Sequence, residues 1–594
     1  MKDRKDIDKK YTWDLDVIYN SIEDFNEDYE LVLSKINILK KYENTMMDNS
    51  DNFYNTIKLS FEIERLLDKL YCYANLSFDL DTSNNGKQEL CERVSNLRSN
   101  YSEVSYFIVP SILKYDYSVI EKYMEENNSI RDYEVSIKEI YRYKEHTLSD
   151  TEEKILSSIG KIVGNCYDTY ELFKDCDMSF GKIKDEEGKN VELNNSNYSL
   201  YIESKDRKVR KSAFKTLYKE YKKYTNTFAS LISSNMKELS TLAKLNKYNS
   251  AIEMSLYADD VDVKVYNNLI DSVHNHINYI YDYYKLKKEI LGVDKLHLYD
   301  IYVPIGNSFD RKYSYDEAEE TILKVLSIFG DEYINKVKEA LNSRWIDVYP
   351  TKNKRTGGYS GGSYDTYPYI LLNYQNKYND MSTLIHEMGH SMHSYYSRTY
   401  NDYQNSEYKI FVAEVASTVN ELLLSHYLLE HSNNKEEKMY ILNNLMELYR
   451  ATIYRQTMFA EFEKDISNII DKEEALTADK LSSIYYQLNK FYFGNDVVVD
   501  DEIRYEWERI PHFYYNFYVY KYATGLSAAT AIVKGILDGK DKAIDNYINF
   551  LKCGSRLSPI ESLKVAGVDL TDSSVVDIAL EEFKNILDMY RNMI

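Results

Sequence analysis

The chain has 594 residues, too many for one ordinary hydrophobic core, and 44% hydrophobic with 29% charged residues excludes a disordered or collagen-like polymer. Only 19 glycines and 6 prolines argue against a turn-rich sandwich or propeller, so a mainly α-helical protein is expected. A net charge of −22 excludes a broad nucleic-acid surface or a binder of anionic membranes, because both need clustered cations.

Taken in chain order, the N-terminal MKDRKDIDKKYTWDLD lacks the apolar core of a secretory signal. Over 14–143, apolar residues recur at spacings of three and four: Leu31, Ile36, Ile38 and Leu39, then Phe61, Ile63, Leu66, Leu67, Leu70 and Tyr71. That spacing predicts a series of long antiparallel helices. Around 178–199 the pattern alternates and carries a DEEGKN turn, which predicts a short β-hairpin. Helices are expected again over 206–291, followed by a long connection at 292–314. At 351–374, four of the 19 glycines fall within six residues (Gly357, Gly358, Gly361, Gly362), ahead of a strand-like YPYILLNY. This reads either as a plain turn or as a loop that closes over a peptide, with a strand at 369–373 pairing with the extended substrate. Further amphipathic helices fill the rest, interrupted by a turn at 493–502 and by Pro511. There is no internal repeat, and no apolar run reaches the ~18 residues of a membrane span. Five cysteines, Cys72, Cys91, Cys166, Cys176 and Cys553, show no CxxC pair, so reduced thiols in a cytoplasmic protein are expected. The 61 tyrosines accompany abundant Asn, Ile and Lys, and such a codon-bias pattern gives most of them no functional weight.

Residues 386–390 read His386-Glu387-Met388-Gly389-His390, an HExxH. On a helix, positions four apart differ by only ~40° around the axis and ~6 Å along it, so both imidazoles reach one ion. Zinc accepts such nitrogen ligands and keeps a position open for water in catalytic sites. Glu387, beside the first ligand, can take the proton of that water. A third ligand is required. His393 follows His386 by seven residues, but an unbroken helix carries it ~10 Å along the axis, too far to share the ion. Carboxylates on the next amphipathic segment, FVAEVASTVNELLL, are better placed. Glu414 sits among Val412, Ala413, Val415 and Ala416, where a charge needs a partner or a metal. Glu421, seven residues on and on the same face, is the rival ligand or a supporting partner. His146, His274, His276, His297, His426 and His431 have no ligand partners at useful spacing and read as structural or surface residues.

HEMGHSMHSYYS followed by FVAEVASTVNE resembles oligoendopeptidase F, within the thimet-oligopeptidase-like zinc metallopeptidases. YTWDLDVIY, GGYSGGSYDTYPYILLNY and RIPHFYYNFYVYKYATG are similar to segments of that family in the same order, so the resemblance covers most of the chain. It implies a large, mainly α, two-lobed metallopeptidase with a deep substrate channel and a small β-sheet beside the active-site helix. It implies an N-terminal helical lobe at 1–200 and a catalytic domain at 201–594. It also implies one Zn²⁺ per chain held by His386, His390 and Glu414, with Glu387 as general base. The expected activity is endopeptidase cleavage of short unfolded peptides, with no nucleic-acid or membrane partner.

A peptidase of this kind also needs a donor for the oxyanion, whose charge appears only in the transition state. Residues 511–522, PHFYYNFYVYKY, read as aromatic all around a helix, and a buried aromatic face accounts for much of this. The family's YxY match points to Tyr520 as the donor, with His512 as a second. The spacing from the histidine differs from that of distant relatives, so Tyr514, Tyr515, Tyr518 and Tyr522 stay open. Two other classes compete. A metallocarboxypeptidase of similar helical fold also uses HExxH with a distant Glu, but needs a cation for the substrate's terminal carboxylate. A helical scaffold with a structural zinc would need a fourth protein ligand and would have no use for Glu387.

Overall fold

The computed structural model describes residues 3–160, 164–306, 309 and 311–594. They form two compact units, each assembled from separated stretches: Met1–Glu145 with Asp310–Tyr427 and Ile532–Gly567, and His146–Phe309 with Leu428–Ala531 and Val568–Ile594. The chain enters the second unit at 146, leaves it at 310 and returns, so chain order and spatial grouping differ. The chain is mainly α, as its low glycine and proline content leads one to expect.

In the first unit, the helices Ile22–Leu39, Ser50–Asp79 and Asn85–Ser105 bear out the three-and-four spacing. Each begins on a side chain that accepts a backbone N–H of its first turn, from Ser21, Asn49 and Asn84. Phe25, Val32, Ile36 and Leu39 of the first helix are buried, whereas Leu31 and Ile38 face solvent. The periodicity thus located the helix but overstated the width of its apolar stripe.

The N-terminal segment then builds the platform for the site. The Trp13 indole donates to the Ile370 carbonyl at 2.8 Å, and the Trp13 backbone N–H donates to Asp347 at 3.2 Å. Ile370 and Asp347 lie in a three-stranded sheet. Tyr369–Leu371 is its central strand, parallel to Ile346–Asp347 and antiparallel to Tyr359–Gly361. The central position corrects the expectation for 369–373: this strand has both neighbours in place and offers no edge to a substrate. Of the two outer strands, Tyr359–Gly361 lies inside the glycine-rich stretch. That stretch is tightly packed, and a Cβ at Gly362 would lie 2.5 Å from the Tyr367 carbonyl oxygen.

In the second unit, the hairpin pairs Lys182–Lys184 with Asn190–Glu192, and helices run from Arg207–Tyr221 to Ile277–Leu291. Both match the sequence reading. The 292–314 connection contains a strand the periodicity missed, Leu296–His297, parallel to Val497–Val498 from the expected 493–502 turn. Residues 307, 308 and 310 of that connection lie outside the described residues. The 511–522 segment is not one helix. A 3₁₀ turn, Pro511–Tyr514, is followed by Asn516 and Phe517 at φ 50° and 61°, and only at Tyr520 does a helix begin, running to Leu537. The left-handed pair breaks the helical repeat, so facing positions cannot be counted across it. The Phe517 backbone N–H, turned inward by this break, donates to the buried Glu463 at 3.0 Å.

Candidate metal centre and active site

The HExxH motif lies in the helix Tyr378–Tyr400, which follows the central strand after a short connection, 372–377. Glu414 and Glu421 lie on the helix Ile410–His431. The two helices touch backbone to backbone. At Gly389 a Cβ would lie 2.6 Å from both the Ala416 carbonyl oxygen and the Ser417 Cα, so only glycine permits this approach. The close crossing brings Glu414 to the two histidines.

One ligand atom each from His386, His390 and Glu414 lies within 4.8 Å of the others. Glu414 Oε2 is 3.5 Å from His386 Nε2 and 3.7 Å from His390 Nε2. The two rings stand 4.9 Å apart at 77°, so their nitrogens aim at a common point rather than stacking. These are neutral or anionic N and O donors from three side chains, the set that a catalytic zinc takes. Each ligand has a holder behind it. Glu421 Oε2 lies 3.2 Å from His386 Nδ1, on the far side of the ring from Glu414, and is itself held by the Ser382 hydroxyl at 3.0 Å. The Ala413 carbonyl accepts from His390. The Ser417 hydroxyl donates to Glu414 Oε2 at 3.2 Å. An Nδ1–H bonded to Glu421 fixes the His386 tautomer with its Nε2 lone pair toward the cluster.

The electrostatics follow this layout. Burial works against a charged His386, but the Glu421 carboxylate outweighs it and raises the pKa to about 9. Burial, then the neighbouring His386 charge, lowers His390 to about 4, leaving a neutral imidazole. Glu387 is buried at 7% exposure, and desolvation raises its carboxyl to about 7 against the pull of His386. The backbone N–H of Ser360, in the outer strand, donates to that carboxylate. Glu387 is thereby tied to the strand edge as well as to the ligand helix.

The apolar-neighbourhood argument for Glu414 does not hold. Val412, Val415 and Ala416 are buried, but the Glu414 side chain is 48% exposed, because it leaves the helix on the open side. Its position is set by the helix crossing. His393 stays out of the cluster. It is buried in a stack with Tyr408 at 3.7 Å, and burial lowers its pKa to about 3. The supporting roles of Ser360, Ser382 and Ser417 were missed in the sequence, where a lone serine carries no signal.

His512 and Tyr520 belong to the second unit. His512 is half-buried, with the rings of Tyr515 and Tyr522 at 5.4 and 6.0 Å and Tyr518 beyond, 5.3 Å from Tyr522. Tyr520 is buried, its ring 5.1 Å from that of Tyr266. His512 is therefore grouped with Tyr515, Tyr518 and Tyr522, and Tyr520 faces a different neighbour.

Comparison with known proteins decides the family. The family model for Peptidase family M3 matches residues 200–582, and that for Oligopeptidase F matches 112–180. The chain belongs to peptidase family M3. This M3 peptidase is 40% identical to oligopeptidase PepF of Bacillus subtilis over 99% of its own length and 88% of that protein. It is 37% identical to an oligoendopeptidase F homolog of Lactococcus lactis, covering 100% and 99% of the two chains. Among solved structures, a peptidase from Chlamydophila abortus superposes with a TM-score of 0.94 at 34% identity over 100% of both chains. Oligoendopeptidase-F from Enterococcus faecium does so at 0.75 and 34%, over 96% of this chain and 99% of that one. The M3 family is zinc-dependent, and this member is a metalloendopeptidase that hydrolyses peptide bonds.

Proposed function

We propose that this M3 peptidase cleaves internal bonds of short unfolded peptides with one zinc ion held by His386, His390 and Glu414. The observation that carries this reading is the convergence of those three side chains within 4.8 Å. When bound there, zinc supplies a Lewis acid that lowers the pKa of water and polarises the scissile carbonyl. Glu421 and the Ala413 carbonyl keep the two imidazoles turned toward the ion. Glu387 accepts the proton of the attacking water and returns it to the leaving amine. Its dry surroundings and the Ser360 N–H hold the carboxylate in one place during both transfers. The outer strand Tyr359–Gly361 lies next to that base and suits an extended peptide pairing along it. Tyr520 and His512 are proposed to support the oxyanion, with Tyr514, Tyr515, Tyr518 and Tyr522 as the other phenols of the segment.

Among the described residues no helix is long and apolar enough to cross a membrane. We assign the enzyme to cytoplasmic peptide turnover, a role suited to short substrates. An N-acetylated, C-amidated peptide of about ten residues tests the endopeptidase reading. Internal cuts, mapped by mass spectrometry, should vanish with a chelator and return with zinc. A blocked peptide left intact while its free-acid form loses C-terminal residues would instead establish the carboxypeptidase reading.

A further inference from the structure

The second unit contains a cluster of guanidinium groups, Arg450 buried and Arg455 and Arg509 partly so, that peptide hydrolysis does not use. The helices Lys435–Tyr449 and Arg455–Asp471 are joined by a π-helical turn, Arg450–Tyr454. In an unbroken α-helix, residues five apart point roughly 140° away from each other. A wider π turn brings such residues close to the same side, and turns of this kind recur at functional sites. Here it directs Arg450 and Arg455 into one cavity, lined also by Tyr284, Tyr454, Met458 and Phe493. The space at its centre, about 10 Å³, admits a single water-sized sphere. Both guanidinium carbons also lie near one ring, that of Tyr302, at 5.3 and 5.8 Å.

Acceptors are short around this cavity. The Arg450 side chain is only 6% exposed, and it donates through Nε to Glu447 at 2.8 Å. Glu447 also accepts from Lys287 at 3.1 Å and from the Tyr283 hydroxyl. Arg455 donates through Nη2 to Glu506 at 2.8 Å. Glu506 also takes bonds from Arg509, Tyr218 and Tyr485 at 3.2, 3.1 and 2.7 Å. Both carboxylates are held near pKa 2. Burial opposes this, but their cationic neighbours, Arg450 and Arg455 foremost, outweigh it, so each is ionised and already committed. Among the described residues, no protein acceptor meets either terminal nitrogen of Arg450, or Nε and Nη1 of Arg455. Three arginines, Arg450, Arg455 and Arg509, thus share two carboxylates, and a guanidinium cannot shed its charge to relieve the imbalance. The Arg455 and Arg509 side chains are 16% and 26% exposed, so water reaches the cluster, and like charges this close are eased further when an anion joins them.

We propose that a single monovalent anion of halide size, chloride under ordinary conditions, occupies this cavity between Arg450 and Arg455. The small space between the two groups favours a compact ion over phosphate, and its aromatic walls suit a polarisable, weakly hydrated one.

The test uses the full-length enzyme. Crystals soaked in sodium bromide should show an anomalous peak between the two guanidinium groups. In solution, the melting temperature should rise by a few degrees in sodium chloride over sodium gluconate at equal ionic strength, and saturate with concentration. Arg455→Gln and, separately, Arg450→Gln should each lose that halide-specific rise. No bromide peak, with equal melting temperatures in the two salts, would mean that the cavity holds only water and would overturn the proposal. A rise retained in both variants would overturn it as well. If either variant fails to fold, the bromide map of the unaltered enzyme decides by itself.

Discussion

Two clusters of charged side chains in this protein face opposite shortages. At the metal centre, one ligand atom each of His386, His390 and Glu414 lies within 4.8 Å of the others, a set of donors for a cation. Around Arg450 and Arg455 the situation is inverted: N–H groups converge and the nearby carboxylates are already taken. The first arrangement suits a cation, the second an anion. The difference shows that burial alone does not define a site. What distinguishes each cluster is which half of its hydrogen bonds is missing, and that is set by backbone geometry. In one case two helices touch at Gly389; in the other a helix widens by a turn at Arg450–Tyr454.

Perturbing the metal side of the comparison gives effects of decreasing size. Glu387→Gln keeps the ligands and removes the base, so kcat should fall about 10³-fold with zinc content unchanged by atomic absorption. Substantial residual turnover would sink the assignment of Glu387. Glu421→Ala removes the acceptor behind His386 and leaves the three ligands in place. Zinc affinity, measured by competition with a chelator, should fall by roughly 10–100-fold, less than for Glu414→Ala, which removes a ligand. If the order is reversed, the two glutamates have exchanged roles. Gly389→Ala pushes a methyl group against the backbone of Ala416 and Ser417, which cannot rotate away. Stability should drop by about 1–3 kcal/mol in denaturant melts, with zinc affinity falling alongside.

A further effect, outside both clusters, concerns an acid that meets no cation among the described residues. Burial raises the Glu463 carboxyl to about 8, above its unfolded value near 4.5. Its contribution is fully present below the unfolded value and is lost as pH rises toward 8 and beyond. Glu463→Gln should therefore flatten the decline in melting temperature between about pH 5 and pH 9. An unchanged decline would show that the carboxyl has a neutralising partner in solution.

Much of the metal centre was legible because HExxH fixes its geometry by spacing within one helix. Glu414 was singled out for its apolar flanks, yet the structure leaves it half exposed and positions it through the crossing at Gly389. Sequence spacing reports which residues share a face, but not where a second helix crosses the first. The helical class and the 182–192 hairpin followed from composition and alternation. The order of strands in the small sheet did not, because a parallel partner such as Ile346–Asp347 leaves no mark in the sequence of 369–371. The aromatic segment misled for a related reason. Helical counting through Asn516 and Phe517 assumes a continuous repeat, and two left-handed residues reset it. The π turn at Arg450 was equally hidden, since nothing in RATIY distinguishes a widened turn from an α-helical one.

Gly389 occupies one of the two unspecified places of the HExxH pattern, yet it is as constrained as the histidines beside it. Motif grammar treats that letter as a blank; in this molecule it is the joint at which one backbone rests on another. A bulkier residue there would push the helix that carries Glu414 away from the two histidines, so in this chain the third ligand depends on a residue that the motif leaves unspecified.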